Sequence, residues 1–189
     1  MTTLISKQYQ FPAVYHESHL VSLSERNFFV QQTQFAQSVL ELGCGTGRLY
    51  PILGSGNKQY VGLDREWQML KYFLKDHPKA CLVLAQWGDW PLLSYQFDMV
   101  VMARNTWFHV PPVSRLALLN NVYEIMNESG IFVVEVDRIK DGSPYRQADF
   151  FPQPVLEIVG CFRDAGLKLE FTKNLSGTKT ALCFRKACR

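Results

Sequence analysis

The 189-residue chain has no apolar run approaching the roughly 18–20 residues that a membrane span needs. It has no Cys-x-x-Cys pair. Its five cysteines (Cys44, Cys81, Cys161, Cys183 and Cys188) are scattered and odd in number. That pattern argues against a zinc site or a disulfide framework and for reduced thiols. Residues 1–7 lack the basic segment and long apolar stretch of a secretory leader, so a cytoplasmic location is the expectation. Charge of neither sign dominates. The net charge is +3, and the small cluster of Arg185, Lys186 and Arg189 reads as a solvated tail. A nucleic-acid partner is not expected without a concentrated basic face. Repeats and low-complexity tracts are also missing.

What remains is an ordinary globular composition, 47% apolar and 20% charged. The length suits one domain with a sizeable core. We read residues 1–189 as a single domain, with residues 1–37 as an N-terminal cap and helix and residues 38–185 as the core.

The pattern of apolar residues predicts a leading helix over residues 22–37, with Leu23, Phe28, Phe29 and Phe35 as its apolar positions. Strands are expected at 39–42, 60–63, 80–85 (a buried apolar run), 98–102 and 131–136. Helices are expected from about 48, over 67–75, from 112 to about 126, and over 155–165. His77-Pro78 breaks the second of these, Ser129-Gly130 turns the chain into the fifth strand, and Gly166 stops the last helix. Residues 167–171 and 180–184, joined near Ser176-Gly177, read as a hairpin, so at least one strand runs antiparallel. Alternating strands and helices imply an α/β, doubly wound, mostly parallel sheet whose ligands bind beyond the carboxyl ends of the strands.

Eleven residues carry most of the functional information: Val39-Leu40-Glu41-Leu42-Gly43-Cys44-Gly45-Thr46-Gly47-Arg48-Leu49. A short apolar strand ends in a loop with glycine at alternate positions. Such a loop lets a ligand approach the backbone and aims N–H groups at it. Asp64 closes the second strand, 21 positions after Gly43, where an acidic side chain accepts hydrogen bonds from a ribose diol. Dinucleotides and S-adenosylmethionine are both held this way. The dinucleotide fingerprint needs a sixth-position glycine, and Arg48 stands there. The loop has no lysine, which excludes a phosphate-binding Walker A loop.

With Glu41 before the loop, Asp64 after it and a terminal hairpin, the chain resembles the class I S-adenosylmethionine-dependent methyltransferases over about residues 39–184. The resemblance continues at Val61-Gly62-Leu63-Asp64-Arg65-Glu66-Trp67-Gln68-Met69-Leu70. It extends to Phe97-Asp98-Met99-Val100-Val101 and to Asn127-Glu128-Ser129-Gly130-Ile131. It implies a seven-stranded Rossmann-like sheet and S-adenosyl-L-methionine as cofactor. In that arrangement Glu41 would hold the methionine ammonium, directly or through water. Gly43, Cys44, Gly45 and Gly47 would line the methionine and ribose, with Ala103 also at the cofactor. Asp64 would take both ribose hydroxyls, and Arg65 would flank the adenine where the family usually has an apolar residue. Gln86 and Trp87 would stand where the family has Asp-Ala, Trp90-Pro91 matching its Leu-Pro. In a competing register Gly88-Asp89-Trp90 takes that place.

The acceptor side is less defined. Ala103-Arg104-Asn105-Thr106-Trp107-Phe108-His109-Val110 follows the fourth strand, and Trp107-Phe108-His109-Val110 resembles a family segment. His109 is the candidate general base, or a tie between this loop and the next helix. Arg104, the other catalytic candidate, could pair with a carboxylate or phosphate through its planar fork. Asn105, Tyr15 and Tyr145 are the candidate substrate contacts. Aromatics of the N-terminal segment (Tyr9, Phe11, Tyr15) and of the loop after the fifth strand (Tyr145, Phe150, Phe151) could form an apolar lid. His16 and His19 read as surface residues. The motifs of DNA-base methylation, Asn-Pro-Pro-Tyr and Pro-Cys, are missing after the fourth strand. A small-molecule acceptor is therefore expected, with N, O or C methylation open. The second reading is a cofactor-binding protein without turnover, motivated by Arg65 and Gln86. A nucleotide-dependent oxidoreductase is a third.

Overall fold

Seven strands form one sheet in the order β3-β2-β1-β4-β5-β7-β6. They are β1 (Ser38–Leu42), β2 (Gln59–Asp64), β3 (Cys81–Leu84), β4 (Phe97–Met102), β5 (Met126–Asp137), β6 (Leu167–Asn174) and β7 (Lys179–Lys186). The computed structural model describes residues 7–86, 94–138 and 150–187. Strands β1 to β5 run parallel, and β7 runs antiparallel to both β5 and β6. The chain order reverses between β1 and β4, which makes their carboxyl ends the crevice for a ligand.

All five residues of β1 are buried, because helices cover the sheet on both faces. Alternation along the strand sends Leu40 and Leu42 into one core and Val39 into the other. The first core is closed by α5 (Pro112–Ile125) and α6 (Val155–Asp164), where Phe162 stacks between Phe132 and Phe184 at centroid distances of 5.3 and 4.1 Å. The second is closed by α2 (Leu23–Thr33), α3 (Tyr50–Leu53) and α4 (Trp67–Asp76), through Phe29, Leu53 and Phe73.

Several expectations are corrected. Residues 80–85 were expected to be buried, but β3 is an edge strand with Cys81 exposed and Leu84 56% exposed. An apolar run does not reveal which side lacks a neighbour. Ser129-Gly130 does not turn the chain: β5 begins at Met126 and runs through both residues. The register of β4 against β5 shifts between Phe97 and Met99, which absorbs the extra residues as a bulge. Helix α2 ends at Thr33, and the expected apolar positions Leu23 and Phe35 are exposed while Phe28 and Phe29 are buried. Its start is set by a capping box between Ser22 and Glu25. The N-terminal segment is helical: a 3-10 turn at Lys7–Gln10 precedes α1 (Pro12–Ser18), whose Pro12 suits a first helical position.

The four described cysteines are free thiols. Among the described residues no helix is long and apolar enough to cross a membrane, and no group of three or more His, Cys, Asp or Glu could hold a metal ion.

Candidate cofactor and acceptor site

The glycine loop is folded back onto the neighbouring strand. The N–H groups of Gly43 and Cys44 both donate to the Leu63 carbonyl, at 2.7 and 3.0 Å. Glycine is needed here for two separate reasons. Gly43 and Gly47 have φ of +73° and +78°, which L side chains rarely adopt. A Cβ on Gly43 would also lie 2.5 Å from Thr106 Cγ2, and one on Gly47 would lie 2.5 Å from the Phe73 ring.

Asp64, at the end of β2, is clamped by two backbone donors. Gly45 N–H donates to Oδ2 and Glu66 N–H to Oδ1, each at 2.8 Å. Burial pushes the Asp64 pKa up to about 6, against the pull of these two bonds. On β1, Glu41 is also buried and accepts the Tyr60 hydroxyl at 2.6 Å. Burial raises its pKa to about 7, again opposed by its hydrogen bond.

Gly43, Gly45 and Asp64 border a cavity, partly open to solvent, at the carboxyl edge of the sheet. One wall is Gly43, Gly45, Asp64, Arg65, Glu66 and Met69. The other is Tyr9, Tyr15, Arg104, Thr106 and His109. The second wall depends on a sharp bend after β4. Arg104 and Asn105 both have left-handed backbone, with φ of +50° and +62°. Asn105 holds the bend. Its N–H donates to the Glu135 carbonyl (3.1 Å), its amide donates to Asp137 Oδ2 (2.6 Å), and its Oδ1 accepts Asp137 N–H (2.7 Å). Such strain persists where the surroundings over-determine it.

The N-terminal cap is fastened at two points. Tyr9 shares a hydrogen bond with His109 Nε2 (3.0 Å), and His16 Nδ1 shares one with Thr46 Oγ1 in the glycine loop (2.9 Å). Between them Tyr15 stacks on His19 at 4.1 Å, and burial raises the Tyr15 pKa. The loop is also tied from below. Arg48 NH1 lies 2.5 Å from Glu25 Oε1 on α2, and NH2 lies 3.9 Å from Glu135 Oε2 on β5. Lys179 of β7 completes the cluster, at 3.4 Å from Glu135 and 3.7 Å from Glu25. Glu25 and Glu135 are fully out of water. Burial, then the charge of Glu25, pushes the Glu135 pKa up to about 7.

Residues 39–130 match the family model described as a methyltransferase domain. Over that stretch the chain is similar to a methyltransferase domain. No protein of curated function matches it in sequence. Among solved structures, the methyltransferase CcbJ of Streptomyces caelestis aligns at 18% identity and a TM-score of 0.78, over 94% of this chain and 96% of its own. A methyltransferase of Clostridium acetobutylicum aligns at 12% identity and a TM-score of 0.76, over 95% and 98%. The glycopeptide N-methyltransferase MtfA, complexed with S-adenosylmethionine, aligns at 17% identity and a TM-score of 0.72, over 89% and 95%. At these identities the likeness is one of fold.

The expected site residues fall into three groups. Gly43, Gly45, Asp64, Arg65, Arg104, His109 and Tyr15 border the cavity together. Glu41, Cys44, Gly47 and Ala103 lie behind its surface. Glu41 is bonded to Tyr60, Cys44 Sγ faces Gly62, Gly47 packs on Phe73, and the Ala103 carbonyl accepts the Thr106 N–H and hydroxyl. Asn105 has its side-chain amide engaged by Asp137, and Gln86 is exposed just beyond β3. Trp87 and Tyr145 lie outside the described residues, as does the Gly88-Asp89-Trp90 alternative. Sequence reasoning missed Thr106, Glu66 and Met69 on the cavity wall, and the ties made by His16, Glu25 and Glu135. Glu25 had one local signal, its place three residues after Ser22 in a capping box; Glu66 and Met69 lie in a segment that carries the family resemblance, Thr106 adjoins another, and His16 and Glu135 had no signal.

Proposed function

We propose that the protein transfers a methyl group from S-adenosyl-L-methionine to a small-molecule acceptor. The observation that carries this reading is the convergence of Gly45 and Asp64 on one cavity, with the Asp64 carboxylate buried and aimed by two backbone N–H groups. The residues fit the cofactor. A buried carboxylate suits a ribose diol, and the missing Cβ at Gly45 leaves room for a ligand against the backbone.

Asp64 would accept the ribose hydroxyls, and Glu41 would hold the ammonium, directly or through water. Gly43, Cys44, Gly45 and Gly47 would frame the methionine and ribose, with the Ala103 position beside them. Arg65 would flank the adenine, with Gln86 and Trp87 toward its amino group. Bound there, the cofactor supplies a methyl group on a sulfonium, an electrophile that needs positioning more than acid–base help. The protein's own contribution is to exclude water with the Tyr9–Tyr15 cap and to hold the acceptor in line. For an acceptor that must lose a proton, His109 would take it, with the Tyr9 hydrogen bond holding its ring. The methyltransferase neighbours that act on small molecules support this substrate class, MtfA's glycopeptide among them.

Calorimetry with S-adenosylmethionine and S-adenosylhomocysteine tests the reading. The parent protein should bind both, and Asp64→Ala should weaken binding by about tenfold or more, the scale of a lost charge-assisted hydrogen bond. Absence of binding by the parent protein would sink the proposal.

A further inference from the structure

Three basic side chains border the cavity, and two of them are engaged. Arg65 Nε lies 3.3 Å from Glu66 Oε1, and His109 Nε2 meets the Tyr9 hydroxyl at 3.0 Å. Arg104 differs. Among the described residues its half-buried side chain has no ion pair and no hydrogen bond. It borders the cavity together with Tyr9 and Tyr15 of the cap. The carboxylates of the cavity and of the bend are committed elsewhere: Asp64 to the N–H groups of Gly45 and Glu66, Glu66 to Arg65, Glu135 to Lys179 and Arg48, and Asp137 to Asn105. A cation at the mouth of a cavity, on left-handed backbone held by Asn105, and without a counter-ion, implies that a ligand brings the negative charge.

We infer that the acceptor carries a carboxylate that Arg104 binds under the aromatic cap. This rests on the methyl-transfer reading. The planar fork of a guanidinium matches a carboxylate with two parallel N–H···O bonds. Tyr9 and Tyr15 supply flat walls for an aromatic or apolar body next to that anion. Arg104 therefore sets which acceptors are accepted, while His109 stands ready for the proton. A carboxylate could also come from the amino-acid end of the donor itself, so the test must separate the two.

The test uses protein loaded with S-adenosylhomocysteine, with benzoate and benzamide as matched probes followed by ligand-observed NMR. Benzoate should bind the parent at least about tenfold more tightly than benzamide, the scale of one charge-assisted contact. Arg104→Gln should abolish that preference and Arg104→Lys should keep part of it. Both variants should bind S-adenosylhomocysteine as the parent does. Equal binding of the two probes by the parent overturns the inference. So does an Arg104→Gln variant that loses affinity for S-adenosylhomocysteine but not for 5′-methylthioadenosine, because the carboxylate is then the donor's. If the parent fails to bind S-adenosylhomocysteine at all, the methyl-transfer reading has failed and this inference falls with it.

Discussion

Tyr60 donates its hydroxyl to Glu41 Oε2 over 2.6 Å, and both groups are shut away from water. The bond moderates the effect of burial without cancelling it, since the Glu41 pKa still rises from 4.5 to about 7. A carboxyl whose folded pKa is raised binds its proton more tightly in the folded state. Stability then falls as pH rises from the unfolded value through the folded one. Asp64, at about 6, and Glu135, at about 7, act in the same sense. His19, whose pKa is lowered by burial, opposes them at the acid end. Thermal melts should therefore show a loss of stability as pH rises from about 4 to about 7, smaller in Glu41→Gln than in the parent. An identical slope in both proteins would remove Glu41 as a source of it.

Two of the three glycines of the loop, Gly45 and Gly47, should fail differently. Gly47→Ala forces a methyl against Phe73 on backbone at φ +78°. Left-handed strain of roughly 1–2 kcal/mol and overpacking of roughly 1–3 kcal/mol give an expected loss of about 2–5 kcal/mol in urea unfolding. Gly45→Ala shares the left-handed strain, at φ +53°, but meets Met69 Cε at 3.4 Å and Asp64 Oδ2 at 4.0 Å without overlap, and its methyl enters the cavity wall. It should lose less stability and more cofactor affinity. Unfolding and calorimetry on both variants separate a fold requirement from a site requirement.

The Arg48 cluster is a structural ion network of two glutamates and two cations. Arg48→Met leaves Glu25 and Glu135 sharing Lys179 alone. Breaking one member of a buried network costs roughly 3–5 kcal/mol. The double variant Arg48→Met/Glu25→Gln should recover part of that loss, because one orphaned charge is removed with its partner. A double-mutant cycle by chemical unfolding reads the coupling, and simple additivity would show the two side chains to be independent.

How much of this was legible in the sequence follows from distance along the chain. The strand, glycine loop and Asp64 are readable because they rest on local needs: apolar periodicity, positive φ and the end of a strand. The terminal hairpin is readable because Gly177 punctuates it, with φ +54° in the structure. The run at 80–85 is apolar, yet its strand lies at the sheet edge, and edge position is a property of the sheet. His16 meets Thr46, and Tyr9 meets His109, across 30 and 100 residues. Contacts so remote leave no spacing to recognise. Arg48 illustrates the same limit: its identity argued against a dinucleotide loop, but its partners come from α2 and β5.

The counter-charge for Glu135 arrives late in the chain. Arg48 and both glutamates are present once β5 exists, but Lys179 enters only when β7 slides between β5 and β6. A chain emerging from the ribosome thus carries a glycine loop held by an unbalanced set of buried charges until the β6–β7 hairpin inserts. The capacity to bind the donor should appear only once β7 has been made and has joined the sheet.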